Sequence, residues 1–275
     1  MIESLLSFIF PNKCVFCKKA LPVDAPICIC GVCAPKIPYY AGDFLFEDSE
    51  RGAGHAQNCD KIICALEYTG IVRDAIYRFK FQDRREYGVT LSAILCDRIE
   101  KARSGDGTGM GAGKGAEGNV RDGGGTGMGA GKGAEGNARG AGADVNGGVW
   151  RDSQFDIVTC VPLSGARMRE RGYNQAAILA RNAAKYFRTA YVENLLVRNE
   201  STLRQSALRH GERRVNAMLS FKVSDTGACR LREGSAHVLL IDDIATSMAT
   251  VNACGAILKA AGARIVTGAV LAAAP

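Results

Sequence analysis

The hydrophobic and polar positions of this chain change period several times, and these changes predict alternating strands and helices. Ile62–Tyr68 is a short apolar run of the length expected for a buried strand, and Val72–Phe81 has apolar residues at helical spacing with basic residues between them. The same criteria predict further strands at Phe155–Cys160, His237–Ile241 and Arg264–Leu271, and helices at Thr90–Ala102, Asn174–Arg188, Arg209–Met218 and Thr250–Ala261. Strands alternating with helices imply a parallel sheet, whose ligands bind at the carboxyl ends of the strands.

Residues 104–149 break this pattern and predict a flexible insert. Nineteen of the 33 glycines fall there, and the sequence TGMGAGKGAEGN occurs twice, at Thr108–Asn119 and at Thr126–Asn137. A segment this rich in glycine cannot bury enough apolar surface to offset the entropy lost on ordering. We therefore expect a small module at residues 1–45 and an α/β domain at 60–275 that the insert interrupts.

Five of the eleven cysteines are concentrated between Cys14 and Cys33. Cys14/Cys17 and Cys30/Cys33 form two CxxC knuckles, and four thiolates make a closed tetrahedral shell for a structural zinc ion. Cys28 is an alternative to Cys30, but Cys30/Cys33 keeps the regular spacing. The competing interpretation is a set of free or redox-active thiols. A module of this size lacks the core to fold alone, so the metal is expected to supply its folding energy.

The cysteine pattern and the terminal segments predict a soluble, cytoplasmic protein. An odd number of cysteines with dense CxxC pairs differs from a secreted disulfide framework and suits a reducing compartment. The first ten residues, MIESLLSFIF, lack a basic start and a cleavage site, and the apolar run 265–274 is too short to span a bilayer. We therefore expect no membrane insertion.

Positive charge is concentrated between Val161 and Lys222, where twelve Arg or Lys and four Glu give an excess of +8. The net charge of the whole chain is +7, so the rest of the chain is close to neutral. A basic stretch of this kind indicates phosphates or nucleic acid as the partner, or else a solvated helix face. Ser164 and Arg171 follow a predicted strand, where guanidinium groups suit a diphosphate. Arg198, Arg204 and Arg213 are candidates for contacts to a nucleic-acid backbone, although few aromatic residues lie among them.

The most informative segment for chemistry is VLLIDDIATSMAT, residues 238–250. An apolar strand is predicted to end in Asp242 and Asp243, two carboxylates that can accept hydrogen bonds from sugar hydroxyls. A loop with hydroxyl side chains leads into a helix, whose N-terminus favours an anion. The three hydroxyl residues are Thr246, Ser247 and Thr250. Together these groups predict a ribose 5-phosphate site, and the competing interpretation is an ordinary helix cap.

This segment resembles the phosphoribosyl diphosphate motif of phosphoribosyltransferases, and the rest of the chain outside 104–149 resembles the ComF family. The resemblance includes the two knuckles, Tyr68 and Lys80 in AIYRFKF, Val161-Pro162-Leu163-Ser164, and Arg171-Gly172-Tyr173-Asn174-Gln175. It also includes a later stretch with Arg198, Thr202, Gln205, Leu208, Arg213, Asn216 and Phe221.

The resemblance implies a phosphoribosyltransferase-type fold, a parallel sheet flanked by helices behind an N-terminal zinc module. It implies a glycosyltransferase that binds phosphoribosyl diphosphate with Mg²⁺. Asp242 and Asp243 would hold the ribose or its metal, Thr246, Ser247 and Thr250 the 5-phosphate, and Arg171, with Lys80 and Ser164, the diphosphate. The family also implies a cytoplasmic role in natural transformation, with single-stranded DNA and DNA-uptake proteins as partners.

One departure keeps a second function open. Met248 stands where the motif has glycine, and a side chain there restricts positive φ and the approach of backbone to a phosphate. The alternative is a non-catalytic protein that binds nucleotide or single-stranded DNA with a degenerate ligand loop. A zinc-dependent scaffold is the third interpretation. None of the three histidines falls in these motifs, so we expect no histidine general base.

Overall fold

The computed structural model describes residues 12–22, 25–41, 58–104, 155–199, 220–231, 234–246 and 248–274. Contacts divide the chain into one compact unit of residues 1–107 and 152–275 and a second of residues 108–151. The second unit, and with it nearly all of the predicted insert, lies outside the described residues.

The described residues form seven strands and six α-helices. The strands are β1 (Lys61–Glu67), β2 (Ile157–Cys160), β3 (Ala190–Tyr191), β4 (Leu196–Arg198), β5 (Phe221–Val223), β6 (His237–Ala245) and β7 (Ile265–Ala273). The helices are α1 (Gly70–Phe81), α2 (Tyr87–Ser104), α3 (Gly165–Arg171), α4 (Gln175–Tyr186), α5 (Asp225–Leu231) and α6 (Ala249–Ala260). A short 3₁₀ helix, Ala34–Lys36, follows the second knuckle.

Five of the strands form a parallel sheet in the order β1-β7-β6-β2-β3, as the alternation of strands and helices predicts. β4 and β5 pair separately as a small antiparallel sheet. The central strands are apolar on both faces, which is typical of parallel strands covered on both sides. All of the residues in β2 and all but the first in β7 are buried.

The two faces of the sheet carry separate cores. On one face, Leu239 and Ile241 pack in a cluster with residues of α1, α2 and α4. On the other face, Val238 and Leu240 pack with residues of α6 and α5 and with the small sheet. Consecutive residues of β6 therefore serve opposite faces, as the pleat of a strand requires. Residues of the cysteine segment, such as Phe16, belong to the first cluster.

The strand that carries the acids is longer than the sequence predicts. We predicted a strand that ends at Ile241, but β6 continues to Ala245. Asp242 aligns with Val270, and Ile244 and Ala245 align with the last residues of β7, so the parallel ladder runs on past the acids. The apolar pattern hides this extension because the two carboxylates interrupt it.

The sequence pattern does not predict the short elements, which are β3, β4, β5, α3 and α5. The helix α3, GARMRER, buries none of its residues and is held by its caps instead. The predicted helix at Arg209–Met218 lies outside the described residues. Among the helices that the structure describes, none has the length and apolar content needed to cross a membrane.

Candidate functional site

The four knuckle cysteines converge on one point. The Sγ atoms of Cys14, Cys17, Cys30 and Cys33 all lie within 4.8 Å of one another, although the two knuckles are separated in sequence. In tetrahedral zinc sites the Zn–S bonds are about 2.3 Å, which places the sulfurs about 3.8 Å apart. The cluster therefore has the composition and spacing to hold a metal ion such as zinc.

Backbone N–H groups around the cluster donate hydrogen bonds to the cysteine sulfurs. The Cys30 N–H points at the Cys14 sulfur, 3.4 Å away, and the Cys17 and Cys30 sulfurs are 3.5 Å apart. A hydrogen bond from the Cys33 backbone lowers the pKa of the Cys30 thiol to about 6, whereas burial, and then the neighbouring cysteines, raise the pKa of Cys33 to about 12. Four sulfurs at this distance cannot all ionise without a cation between them, so the cluster is suited to a thiolate-binding divalent metal.

Cys28 lies outside this cluster. Its backbone N–H donates a 3.0 Å hydrogen bond to the Thr90 hydroxyl on α2, which orients that part of the chain toward α2 instead. Of the two alternatives that the sequence leaves open, Cys30 is therefore the cysteine placed beside the other three.

The acid pair lies at a point of the sheet where the chain leaves two neighbouring strands in opposite directions. β2 leads to β3 on one side of the sheet, and β6 leads to β7 on the other, so the order of connection reverses between β2 and β6. In open α/β sheets, ligands bind in the crevice at the carboxyl ends of the strands at such a point. Asp242 and Asp243 lie near the carboxyl end of β6, and Val161–Ser164 follows the carboxyl end of β2.

Lys80 reaches Asp243 from the end of α1. Its Nζ lies 2.8 Å from Oδ2 of Asp243, and each side chain is only 12% exposed. This ion pair joins two residues that sequence analysis assigned to one site, but it assigned Lys80 to a phosphate, not to a carboxylate. In the structure, Lys80 compensates the charge of a largely buried acid.

Asp242 points away from Asp243, as adjacent residues in a strand do. The Asp243 N–H donates a 2.8 Å hydrogen bond to Asp242 Oδ1. Burial, and after it the charge of Asp243, raise the pKa of Asp242 to about 7, while this hydrogen bond, and after it the charges of Lys80 and Arg167, act in the opposite direction. Asp242 is thus a half-buried carboxyl without a lysine or arginine in ion-pair contact among the described residues, and added positive charge would favour its ionised form.

The motif Arg171–Gln175 builds the turn between α3 and α4. Gly172 ends α3 in the left-handed conformation at φ 74°, which glycine adopts without strain. The Tyr173 hydroxyl donates to the carbonyl of Phe79, and Asn174 caps α4 and donates a 3.0 Å bond to the carbonyl of Val161. Much of this motif therefore has a structural role, because it fastens the turn to α1 and to the end of β2.

Arg171 is the predicted diphosphate ligand in this motif. Its Nη1 donates a 3.1 Å hydrogen bond to Gln175, and its guanidinium lies 4.9 Å from the centre of the Phe81 ring. The structure therefore places Arg171 beside the end of α1, next in sequence to Lys80. Ser164, also predicted at the diphosphate, is the N-cap of α3 and accepts a bond from the Arg167 N–H.

The hydroxyl loop after β6 is described only in part, since Ser247 lies outside the described residues. Thr246 is exposed, and Thr250 lies half-buried in the first turn of α6. Met248 caps that helix at φ −73°, with its side chain buried in the second core cluster. The residue therefore has an ordinary backbone conformation, which differs from the positive φ that a glycine would have permitted.

Of the predicted nucleic-acid contacts, only Arg198 falls within the described residues. It lies 4.7 Å from the Phe221 ring centre and donates a 3.3 Å bond to the carbonyl of Pro162, after β2. Burial, and then the charge of Arg167, lower its pKa. Arg204 and Arg213 lie outside the described residues.

An aromatic surface that the sequence pattern does not predict lies beside this site. Tyr77 and Phe81 lie one turn apart on α1, with ring centres 5.1 Å apart, and they are 54% and 45% exposed. Arg171 stacks on Phe81, so the surface combines two exposed rings with a guanidinium. The signal available in the sequence was the i, i+4 spacing of these two aromatics on either side of Lys80.

Comparison with protein-family models and with curated proteins finds no match to this chain.

Proposed function

We propose that this chain is a ComF-type protein with a phosphoribosyltransferase fold that binds a ribose 5-phosphate or diphosphate ligand. The observation that carries the proposal is the pair Asp242 and Asp243 near the carboxyl end of β6, at the point where strand connections reverse, with Lys80 on one of the acids. The likeness of residues 238–250 to the phosphoribosyl diphosphate motif adds to it. By the same resemblance, the protein acts in the cytoplasm in DNA uptake during natural transformation.

The two acids have different roles in this proposal. Asp243 is already paired with Lys80, so it fixes the end of α1 against the sheet. Asp242 has no such partner, and it is the carboxylate available to ribose hydroxyls or to magnesium, which prefers carboxylate oxygens. The N-terminus of α6, with Thr246, Ser247 and Thr250, would hold the 5-phosphate through backbone N–H groups and hydroxyls.

The proposed reaction is displacement at the anomeric carbon. A nucleophile forms a bond to this carbon, the bond to the diphosphate oxygen breaks, and the diphosphate leaves with the electron pair. Magnesium supplies charge neutralisation on the diphosphate when it is bound. The chain's own contribution is to position the ribose and to place cationic groups, of which Arg171 is the nearest candidate, at the leaving group.

A titration of phosphoribosyl diphosphate with Mg²⁺, followed by calorimetry, tests the proposal. We expect one site per chain in the wild type and at least a tenfold weaker affinity in Asp242→Asn. Asp225→Asn, which changes an exposed acid on α5, is the matched control and should bind like the wild type. A silent wild type combined with a Met248→Gly variant that binds would show that this chain has lost the ligand site.

A second candidate function is binding of single-stranded nucleic acid without transfer. The exposed rings of Tyr77 and Phe81, with Arg171 stacked on one of them, favour it. Single strands bind to aromatic rings through base stacking, which contributes about 1–3 kcal/mol per base, and to basic side chains through phosphates. Arg167 and Arg169 on α3 are exposed and add positive charge next to Arg171.

Fluorescence anisotropy with a labelled oligothymidine tests this second candidate. Replacing Tyr77 and Phe81 by serine should weaken binding by at least tenfold, and binding should weaken as salt is raised. Tyr39→Ser removes a comparably exposed tyrosine, 48% exposed, at a different place and should have no effect. Equal affinities for the double variant and for Tyr39→Ser would rule out this surface as the stacking platform.

A further inference from the structure

An open cavity lies between the first cysteine knuckle and the corner that joins α1 to α2. Its volume is about 580 Å³, and the described residues of its walls come from 12–18, from 25–28 and from the segment between Arg78 and Thr90. Cavities that bind small molecules have volumes of about 300–1,000 Å³. None of the acid-site residues discussed above lines it, so this cavity is a separate feature.

The walls of this cavity carry an excess of positive charge. Lys13, Lys18, Arg78 and Arg84 line it, against the single acid Glu86 among the described lining residues. Glu86 pairs with Arg84 at 3.4 Å. The other three cations make no ion pair with a described carboxylate, which leaves a net charge that an anion would balance.

Arg78 is the fixed element of this charge. The residue is only 8% exposed, and its Nη2 donates bonds of 2.7 and 2.8 Å to the carbonyls of Val15 and Phe16, the two residues between the first pair of cysteines. Its Nη1 makes no hydrogen bond to any described residue, and its buried Nε likewise has no described partner. Burying a guanidinium is costly unless its charge and N–H groups are compensated, so an anion in the cavity would complete its environment.

The remaining wall combines apolar and aromatic side chains with the polar residues Asn12, Gln82 and Thr90. The ring centre of Tyr87 lies 5.9 Å from the Arg78 guanidinium, and Val89, which is 57% exposed, also lines the cavity. A ligand here would therefore meet cations together with the ring of Tyr87 and the exposed side chain of Val89. Inorganic phosphate would make use of the cations only.

We propose that this cavity binds a small phosphate monoester with an apolar or aromatic body. The phosphate would lie among Arg78, Lys13 and Lys18, with charge-assisted hydrogen bonds to their N–H groups. The body of the molecule would rest against Tyr87 and Val89. This inference does not depend on the ribose phosphate site, because the two sites share none of the residues named for them.

Titration of phenyl phosphate into the zinc-loaded full chain, followed by amide NMR shifts and calorimetry, tests the proposal. We expect saturable shifts in residues 15–18 and 82–90, and affinity at least threefold higher than for inorganic phosphate. Lys18→Gln should weaken phenyl phosphate binding at least threefold. Lys19→Gln is the matched control, since Lys19 is also exposed but is not among the residues that line the cavity, and it should bind like the wild type.

Arg78→Gln should abolish phenyl phosphate binding, but it also removes the bonds to the knuckle, so metal content and melting temperature must be checked in this variant. The lysine variants keep the proposal testable if Arg78→Gln does not fold. Equal affinities of Lys18→Gln and Lys19→Gln would overturn the proposal, as would shifts confined to the acid-site residues. Binding of a 5′-phosphorylated oligonucleotide together with silence toward phenyl phosphate would also overturn it.

Discussion

The cysteine cluster and the acid site are both built from charged or chargeable groups at close range, but they are assembled differently. The four cysteines lie within twenty residues of sequence, in two knuckles with identical spacing. The ion pair of the acid site joins Lys80 and Asp243, which are 163 residues apart. The first arrangement needs a cation to hold it together, whereas the second is neutralised by the chain itself.

The helix α1 connects these two regions. Arg78 on α1 donates to two carbonyls of the first knuckle, and Lys80, two residues later, pairs with Asp243. Because the two regions are assembled differently, substitutions in them should have different effects. Loss of one knuckle cysteine should release a bound metal and unfold the cysteine segment, whereas loss of Asp243 should leave the charge of Lys80 buried and should not release the metal.

The largest effect is expected for Cys30→Ser. Structural zinc contributes on the order of 10 kcal/mol to the folding of small zinc modules, so the variant should lose its metal and melt at least about 10 °C lower. Metal content by mass spectrometry and melting by circular dichroism measure both. Cys28→Ser is the matched control, and a variant at Cys28 that also loses the metal would contradict the ligand set.

A smaller effect is expected for Asp243→Asn, which leaves the ammonium of Lys80 without its ion-pair partner in a largely buried position. Breaking a buried pair on one side costs about 3–5 kcal/mol, whereas replacing both partners by apolar residues is often close to neutral. The free energy of unfolding in urea should therefore be lower for Asp243→Asn than for the double variant Lys80→Met/Asp243→Leu. Additive costs of Lys80→Met and Asp243→Leu, each measured alone and in the double variant, would show that the ion pair is not coupled.

The smallest effect is a pH dependence that arises from Asp242. Its pKa rises from 3.8 to about 7 on folding, so the folded chain holds a proton that the unfolded chain has lost, and stability falls as pH rises through this window. Asp242→Asn should be more stable than the wild type at pH 7.5 by at least about 1 kcal/mol, since one pKa unit corresponds to about 1.4 kcal/mol. The difference should vanish near pH 4. Chemical denaturation across this range, without magnesium, measures it, and a difference independent of pH would refute this origin.

The same contrast explains what sequence could predict. The clustering of the four cysteines is specified by local spacing, and four of the five parallel strands are specified by apolar runs, so these features were predicted. The two-residue strand β3 and the full length of β6 were not. The partner of Lys80 was not predicted, because no local pattern shows that α1 ends against β6. The exposed rings of Tyr77 and Phe81 were missed for a similar reason, since helical spacing alone does not tell which aromatics remain outside the core.

The polar elements form a second group that the sequence conceals. α3 has no apolar stripe and depends on Ser164 and Gly172 as caps, so periodicity does not detect it. β6 runs through Asp242 and Asp243 because its hydrogen-bonded neighbour continues, although the acids look like the end of a strand. In both cases tertiary contacts, not composition, set the boundary.

The most direct test of the account is the dissociation constant of magnesium phosphoribosyl diphosphate for Asp242→Asn, measured with its zinc content in the same sample at a temperature where the variant is folded. We predict one zinc per chain, as in the wild type, together with ligand affinity at least tenfold weaker. That result would separate a metal cluster that serves the fold from an acid site that serves the ligand. A variant with full zinc content and wild-type affinity would contradict the account.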